Sequence, residues 1–199
     1  LKPLQYLLFA TPEPQKAESF SSLPLTRFFP EPLGAMIART GWKFGIDSDC
    51  AVIRMTGAGH YFANHQHLDA GSFQIYYKGF LAIDSGIYNK YGTKGHQTYT
   101  KRSIAHNCML FYDKNYKIPR KLKRRGYDGG QHYPGGEPRN LDVLKQRYRN
   151  GHISGHSFGP NKQRPYYSYM KVDLKAGYGK NVLFYTRTFC FLNFDFYIQ

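Results

Sequence analysis

Histidine and aspartate side chains that could bind a metal ion lie between residues 57 and 107. His65 and His67 stand one residue apart, Asp84 ends an apolar run, and His106 follows in an Ala-His-Asn segment. Neutral imidazole and carboxylate are ligands that Zn²⁺ accepts at about 2.0–2.2 Å, usually four in number with water able to fill an open place. These four side chains are therefore candidates for a zinc site.

Spacing alone does not decide which of them are ligands. On an extended strand, His65 and His67 would point to the same side about 6.6 Å apart, so one ion takes both only if the backbone bends. Taken singly, Asp84 fits a carboxylate that accepts N–H groups in its own turn. His106 taken singly fits a hydrogen-bonded core histidine. The sequence leaves these alternatives open.

The segments around the candidate residues have strand patterns. Residues 72–78 alternate between two faces with period two, and residues 80–84 form a second apolar run that ends at Asp84. We predict further strands at 36–39, 51–55, 104–112, 141–149, 152–158, 166–174 and 181–192. Strands at this spacing, with almost no helical periodicity, predict an all-β fold, an antiparallel β-sandwich.

The N-terminal part has a different composition. Residues 4–9 are predicted to be the last turns of a helix, and residues 11–34 a Pro- and Ser-rich connector. Residues 1–34 are thus expected to be a helical remnant and linker, and residues 35–199 the sandwich. Because the chain stops in the aromatic stretch 194–197, we expect a truncated sheet that lacks strands at its C-terminal end.

Composition limits the partners. Tyr and Phe number 18 and 15, and aromatic residues make up 17% of the chain, which suits strands and wet binding grooves. The 28 Lys and Arg against 13 Asp and Glu give a net charge of +15, which attracts polyanions without saying which. No apolar run approaches the roughly 20 residues of a membrane span, so no membrane partner is predicted. Three cysteines allow at most one internal disulfide and leave the redox compartment open.

A cupin is one alternative for the histidine pair. Gly59, five residues and then His65-Gln66-His67 match the start of the cupin metal motif, and Gly79 falls where its closing glycine would stand. The glutamate expected after the second histidine is replaced by Gly71 or Ser72, which removes a ligand. The cupin interpretation is therefore the weaker one.

Several segments resemble the heparinase II/III-like polysaccharide lyases, and within that family the heparinase II branch. They are PLTR at 24–27, GAMIARTGW at 34–42, NHQHLDAGSFQIYYKG at 64–79, IDSG at 83–86 with Tyr88, AHN at 105–107, HSFGP at 156–160 and YYSY at 166–169. The resemblance implies an α/α toroid followed by a β-sandwich, with the active site between them. This chain would be most of the sandwich.

The resemblance also implies roles for particular residues. His67, Asp84 and His106 match the family's zinc ligands, while His65 matches a histidine of the catalytic cleft and Tyr88 a cleft tyrosine. The family's remaining catalytic residues come from the toroid and have no counterpart here. By this resemblance the isolated chain is expected to be inactive.

The chemistry that the resemblance implies is β-elimination on a uronic-acid polysaccharide. Histidine titrates near neutrality, and a tuned tyrosine can serve as base or acid. Lys101 and Arg102, just before His106, are candidates to bind sulfate, because Arg forks and Lys charges both pair with such anions. The basic run at 117–125 is equally well explained as a solvated face.

Two classes of function follow. The first is a zinc-containing lyase for heparin or heparan sulfate, with a sulfated glycosaminoglycan and the toroid as partners, a homodimer as a candidate assembly, and a bacterial periplasmic or secreted location. The second is a non-catalytic module that binds polyanions. A nucleic-acid partner is not predicted, because the chain lacks a recognisable reading motif.

Overall fold

Two antiparallel sheets form the framework of the chain. The computed structural model describes residues 18–43, 45–62, 65–87, 90–115, 127–135 and 137–193. Its strands are β1 (Thr26–Phe29), β2 (Ala35–Arg39), β3 (Val52–Thr56), β4 (Phe73–Tyr76), β5 (Phe80–Ala82), β6 (His152–Gly159), β7 (Tyr167–Asp173) and β8 (Thr186–Leu192). Strands β1 to β5 lie side by side in chain order in one sheet, and β6, β7 and β8 form the other.

In the five-stranded sheet, β2 shows a period-two burial pattern, whereas all four residues of β4, inside the predicted strand 72–78, are partly buried. Met36 and Ala38 of β2 are fully buried, while Ala35, Ile37 and Arg39 between them remain partly exposed. The strand register places Met36 opposite both Phe28 and Met55, so apolar side chains from neighbouring strands lie on one face. One face of this sheet is therefore core and the other is surface.

The two sheets pack face to face. Met170 and Val172 of β7 and Phe189 of β8 join Met36 and Met55 in a single buried cluster. A hydroxyl pair, Thr26 Oγ1 and Ser168 Oγ at 2.7 Å, also spans the two sheets, so these buried polar groups satisfy each other. The all-β sandwich that the sequence predicts is confirmed.

Two predicted strands are wrong. The segment 104–112 begins with a turn of 3₁₀ helix at Ser103–Ala105 and then has no regular structure. Buried Ser103 fixes this conformation, because its hydroxyl donates to Leu68 O at 2.7 Å and accepts from Gln131 N at 2.9 Å. Loop packing overrides the strand propensity of the apolar residues that follow.

The segment 141–149 is also not a strand but contains helix α1 (Leu141–Arg147). Asn140 caps it, since its side-chain oxygen accepts from Val143 N at 2.9 Å. Leu144 is the buried residue of the helix and packs in a small cluster with Tyr61 and Tyr148. The Asn140 cap is the signal that the strand prediction overlooked.

The predicted strand 181–192 is only partly extended. Its second half, Thr186–Leu192, forms β8.

At the N-terminal end, the sheet starts earlier than predicted. Strand β1 lies inside the segment 11–34 that was expected to be a linker, and it pairs with β2 along its whole length. The predicted helical remnant at 4–9 and the aromatic stretch at 194–197 lie outside the described residues. Among the helices that the structure describes, none has the length and apolar character needed to cross a membrane.

The connections that carry the candidate residues leave the sheets at one end, here called the rim. Segment 30–34 follows β1, segment 57–72 follows β3 and contains the histidine pair, and segment 83–108 follows β5 and contains Asp84 and His106. Backbone hydrogen bonds hold them together: Gly57 N donates to Gly34 O at 2.6 Å, and Gly71 N donates to Gly57 O at 2.9 Å. Arg187 of β8 closes the rim from the other sheet by donating to Gly71 O and Asn107 O.

Gly34 is the position where this rim has the least room. Its φ is +56°, and a Cβ placed on it would lie 2.1 Å from the backbone oxygen of Ala58. We predict that Gly34→Ala lowers the free energy of unfolding by about 2–4 kcal/mol, because left-handed backbone strain adds to a clash with backbone that cannot move aside. Urea denaturation measures this.

The control is Gly95→Ala. Gly95 has helical backbone angles, with φ at −58°, and an added Cβ meets no atom of the described structure within 4 Å. Its substitution should change the free energy of unfolding by less than about 0.5 kcal/mol. Equal midpoints of urea denaturation for Gly34→Ala and Gly95→Ala would contradict the close packing of Gly34 against Ala58.

Candidate metal and catalytic site at the rim

Asp84 and His106 are brought together by the backbone on both sides of them. Asp84 follows β5, and the next residue, Ser85, donates its N–H to Ala105 O at 2.7 Å. The side-chain nitrogen of Asn107 donates to Phe73 O at 2.8 Å and also approaches Ile83 O at 3.4 Å. The segment that contains His106 is therefore fastened to the ends of β4 and β5.

The contact between these two side chains is direct. His106 Nδ1 lies 2.8 Å from Asp84 Oδ1, with the imidazole almost completely buried and the carboxylate 42% exposed. The approach lacks the direction of a hydrogen bond, and within the described residues neither ring nitrogen of His106 has a hydrogen-bond partner. A buried imidazole without such a partner is costly, and a bound cation would remove that cost.

His67 completes the set. Its ring centroid lies 5.1 Å from that of His106, and Asp84 is close enough to act on its charge. Burial, followed by the nearby His106, lowers the pKa of His67 to about 4. The imidazole is consequently neutral at pH 7, the form that binds a metal ion.

Gln66 fixes the loop between the two neighbouring histidines. Its side-chain oxygen accepts from Phe62 N at 2.6 Å, and its side-chain nitrogen donates to His60 O at 3.1 Å. On the far side, Leu68 N donates to Lys101 O at 2.9 Å. These bonds hold His67 over the His106 ring, while His65, two residues earlier, remains exposed.

The candidate ligands are near one another but are not arranged around a common point. In the part of the chain that the structure describes, no three His, Cys, Asp or Glu side chains already surround one point as metal ligands would. Instead, Asp84 and His106 contact each other, with His67 beside them. The donor types fit zinc, and so does the buried His106 ring without a hydrogen-bond partner, so a small separation of the Asp84–His106 contact would make room for an ion.

Cys108 is the nearby soft ligand, and the structure argues against its use. It is a free thiol whose sulfur donates to Ala70 O at 3.7 Å. Burial, reinforced by the charge of Asp69, raises its pKa to about 12. Because the thiolate is the binding form, zinc binding at Cys108 would have to displace a proton that the thiol holds at neutral pH.

The catalytic candidates are only partly described. His65 is exposed, and its ring centroid lies 4.7 Å from that of Tyr91. Tyr88 lies outside the described residues. Tyr99, farther along, makes a very short hydroxyl contact with Ser85, beside Asp84. The surroundings of His65 are thus aromatic and open to solvent.

Two residues near the set were missed by the sequence reasoning. Burial raises the pKa of the Asp69 carboxyl group, and the charges of His106 and Asp84 lie close enough to act on it. His96 is buried, its Nδ1 accepts from Gly92 N at 3.1 Å, and its ring lies 6.4 Å from that of His67. Neither residue stands in a motif with metal-ligand spacing. The only sequence signal that Asp69 lies near the candidate ligands was its position two residues after His67.

Lys101 and Arg102 lie deeper than a sulfate-binding assignment expects. Arg102 is 3% exposed, and its guanidinium donates to both oxygens of Asp128, at 2.8 and 3.3 Å. Lys101 is 7% exposed and its ammonium lies about 6 Å from the rings of Tyr61 and Tyr91. Arg102 therefore supports the scaffold behind the site, and its role in sulfate binding stays a prediction that this geometry does not favour.

The fold and the rim together define an antiparallel β-sandwich with a His, Asp and His set at one end. The family model described as heparinase II/III-like, C-terminal, matches residues 36–148. This match covers more than half of the chain and includes every candidate site residue, and the chain belongs to that family. No match was found among curated proteins.

The Arg102–Asp128 pair gives a prediction about the scaffold. Arg102→Met should lower the free energy of unfolding by about 3–5 kcal/mol, because it leaves the largely buried Asp128 carboxylate without its partner. A urea-denaturation double-mutant cycle with Asp128→Asn should show a coupling of at least about 1 kcal/mol. A cost below about 1 kcal/mol for Arg102→Met would show that this arginine is not a structural residue.

Proposed function

We propose that this chain is the zinc-binding sandwich portion of a polysaccharide lyase that cleaves heparin or heparan sulfate by β-elimination. The observation that carries the proposal is the convergence of His67, Asp84 and His106 at the rim, with the exposed His65 on the same short loop. Membership of the heparinase II/III-like family supports a polysaccharide lyase lineage. The preference for a sulfated, anionic substrate agrees with the net charge of +15.

In the proposed reaction, a base removes the proton at C5 of the uronic acid. The electron pair left at C5 forms the C4–C5 double bond as the bond from C4 to the glycosidic oxygen breaks, and an acid protonates that oxygen. His65 is the proposed group that moves a proton or neutralises the sugar carboxylate, and this neutralisation makes the C5 proton more acidic. Tyr88 is the proposed partner for the second proton transfer.

His67, Asp84 and His106 are the proposed zinc-holding residues. When bound, the ion supplies a crosslink between the loop that contains the histidine pair and the segments that contain Asp84 and His106. Holding these three segments fixes the direction in which His65 leaves its loop. Preorganisation of this kind matters because small displacements of a catalytic group are expensive.

The proposed enzyme needs a second wall for its cleft. The family resemblance assigns that wall to an α/α toroid, which provides the residues that His65 and Tyr88 would work with. The substrate is an extracellular polymer, and the proposed location is therefore periplasmic or secreted.

The metal assignment predicts a specific pattern of zinc content. His67→Ala and Asp84→Asn should each lose bound zinc, because each removes a ligand. In the presence of zinc, each variant should melt at a lower temperature than the wild-type chain, because it lacks the stabilisation that zinc binding provides. His65→Ala is the matched control, two residues from His67, and should keep its zinc. Elemental analysis after dialysis measures this; unchanged zinc in His67→Ala would overturn the ligand set.

The catalytic assignment predicts a loss of rate without a loss of metal. In the enzyme that joins this chain to its toroid, His65→Ala should lower kcat by about 10²–10⁴-fold, the usual contribution of general acid–base catalysis. The growth of unsaturated-uronate absorbance with heparan sulfate measures the rate. His152→Ala, at an exposed histidine on β6, is the control and should keep full activity.

The 199-residue chain tested alone should show no such absorbance growth, because the proposed cleft needs the toroid as its second wall. Rapid cleavage by the isolated chain would contradict the assignment of essential residues to the toroid. Wild-type activity in His65→Ala of the joined enzyme would contradict the catalytic role of His65.

A further inference from the structure

The outer face of the five-stranded sheet has an unusual charge. Strands β1 to β5 contain three arginines and no acidic residue. Arg27, Arg39 and Arg54 all alternate with core-facing neighbours, such as Met36 and Met55, and therefore lie on the outer face. This surface, the outer positions of β1 to β5, is called the arginine face below.

The register arranges these arginines in rows across the strands. Arg27 and Arg54 stand on either side of Ile37, and Gln74 continues the row on β4. Neighbouring strands lie about 4.8 Å apart, so the backbones of Arg27 and Arg54 are separated by roughly 9.6 Å. In another row, Arg39 of β2 lies opposite Val52 of β3, and Val52 lies opposite Tyr76 of β4.

Aromatic rings are interleaved with the charges. The guanidinium of Arg39 lies 3.9 Å from the centre of the Trp42 ring, which orients both groups. Phe80, packed edge-on against Tyr76 at 5.6 Å, is 74% exposed. Flat rings beside cations offer sugar faces an apolar contact and their acidic groups a partner.

Two hollows run along the arginine face. One, of about 330 Å³, lies between Arg27, Arg39 and Trp42. The other, of about 350 Å³, lies between Arg54, Tyr76 and Phe80 and extends to Asp84. The surface therefore leads from the edge strand β1 to the candidate site at the rim.

We propose that the arginine face binds an anionic polysaccharide chain and guides it to the rim. Arg27, Arg39 and Arg54 pair with sulfate or carboxylate groups spaced along the chain, and Trp42, Tyr76 and Phe80 contact the sugar rings. The identity of the polymer rests on the proposed function, whereas binding at this face requires no catalysis. Three guanidinium forks on one face of a sheet suit a repeating polyanion, because each fork can pair with an anionic group of the same polymer.

The test is titration calorimetry of the 199-residue chain with a size-defined heparin oligosaccharide at fixed ionic strength. The variant R27Q/R39Q/R54Q should bind at least about tenfold more weakly, because three direct charge contacts are removed. The control R147Q/K162Q/K171Q removes three exposed positive charges elsewhere and should weaken binding by less than about threefold. Equal weakening in both would show diffuse attraction by net charge and overturn the proposal.

A second pair of variants keeps all the arginines. Gln74→Glu places a negative charge beside Arg54, and it should weaken heparin binding by at least about threefold. Thr188→Glu adds the same charge on β8, in the other sheet, and should leave the affinity unchanged. An unchanged affinity in Gln74→Glu would overturn the proposal even if the triple variant failed to fold.

Further outcomes separate this inference from the proposed function. Heparin binding without cleavage by the wild-type joined enzyme would contradict the lyase and leave the arginine face intact. Equal competition by duplex DNA would favour a general polyanion surface and overturn the polysaccharide. A concentration-dependent dimer that R27Q/R39Q/R54Q abolishes, with heparin affinity unchanged, would assign the face to a second copy of the chain.

Discussion

The candidate site depends on a carboxylate held against a buried imidazole at the end of the β-sandwich. Asp84 and His106 come from segments that the backbone bond from Ser85 to Ala105 joins, and their side chains meet at 2.8 Å. Within the described residues, the ring nitrogens of His106 have no hydrogen-bond partner. Burying a ring without a hydrogen-bond partner costs free energy, and a cation bound at this position would offset that cost.

The sandwich supplies rigidity where this contact needs it. Buried methionines of both sheets lie in one core, and Arg187 reaches from the second sheet to the backbone of the rim. Arg102 and Asp128 form a second anchor behind the site. A functional loop that is fastened at several points can present one exposed side chain, here His65, in a defined direction.

The sequence predicted the parts of the fold that local periodicity controls. Strands β2, β3, β4 and β7 were found near their predicted positions, and in β2 and β7 buried residues alternate with more exposed ones. The strand predictions for 104–112 and 141–149 were wrong because buried Ser103 and the helix cap Asn140, rather than periodicity, decide the conformation of these segments. Such contacts join residues that are distant in sequence or depend on a single cap, and a pattern of apolar residues does not contain them.

For the candidate site, the histidine block indicated three residues but not their surroundings. The structure brings His67, Asp84 and His106 close to one another, and their role as metal ligands stays a prediction. His96 and Asp69 were missed because their closeness to the cluster arises from loop folding. Arg102 was assigned to the substrate from its charge alone, and its ion pair with Asp128 could not be seen without the fold.

The most direct test of the central claim is X-ray absorption at the zinc edge of the zinc-loaded chain. The account predicts a first shell of nitrogen and oxygen at about 2.0–2.1 Å, with the outer-shell scattering of two imidazole rings. A sulfur scatterer at about 2.3 Å would instead indicate that Cys108 is a ligand. That result, or a chain that retains no zinc at all, would contradict the site described here.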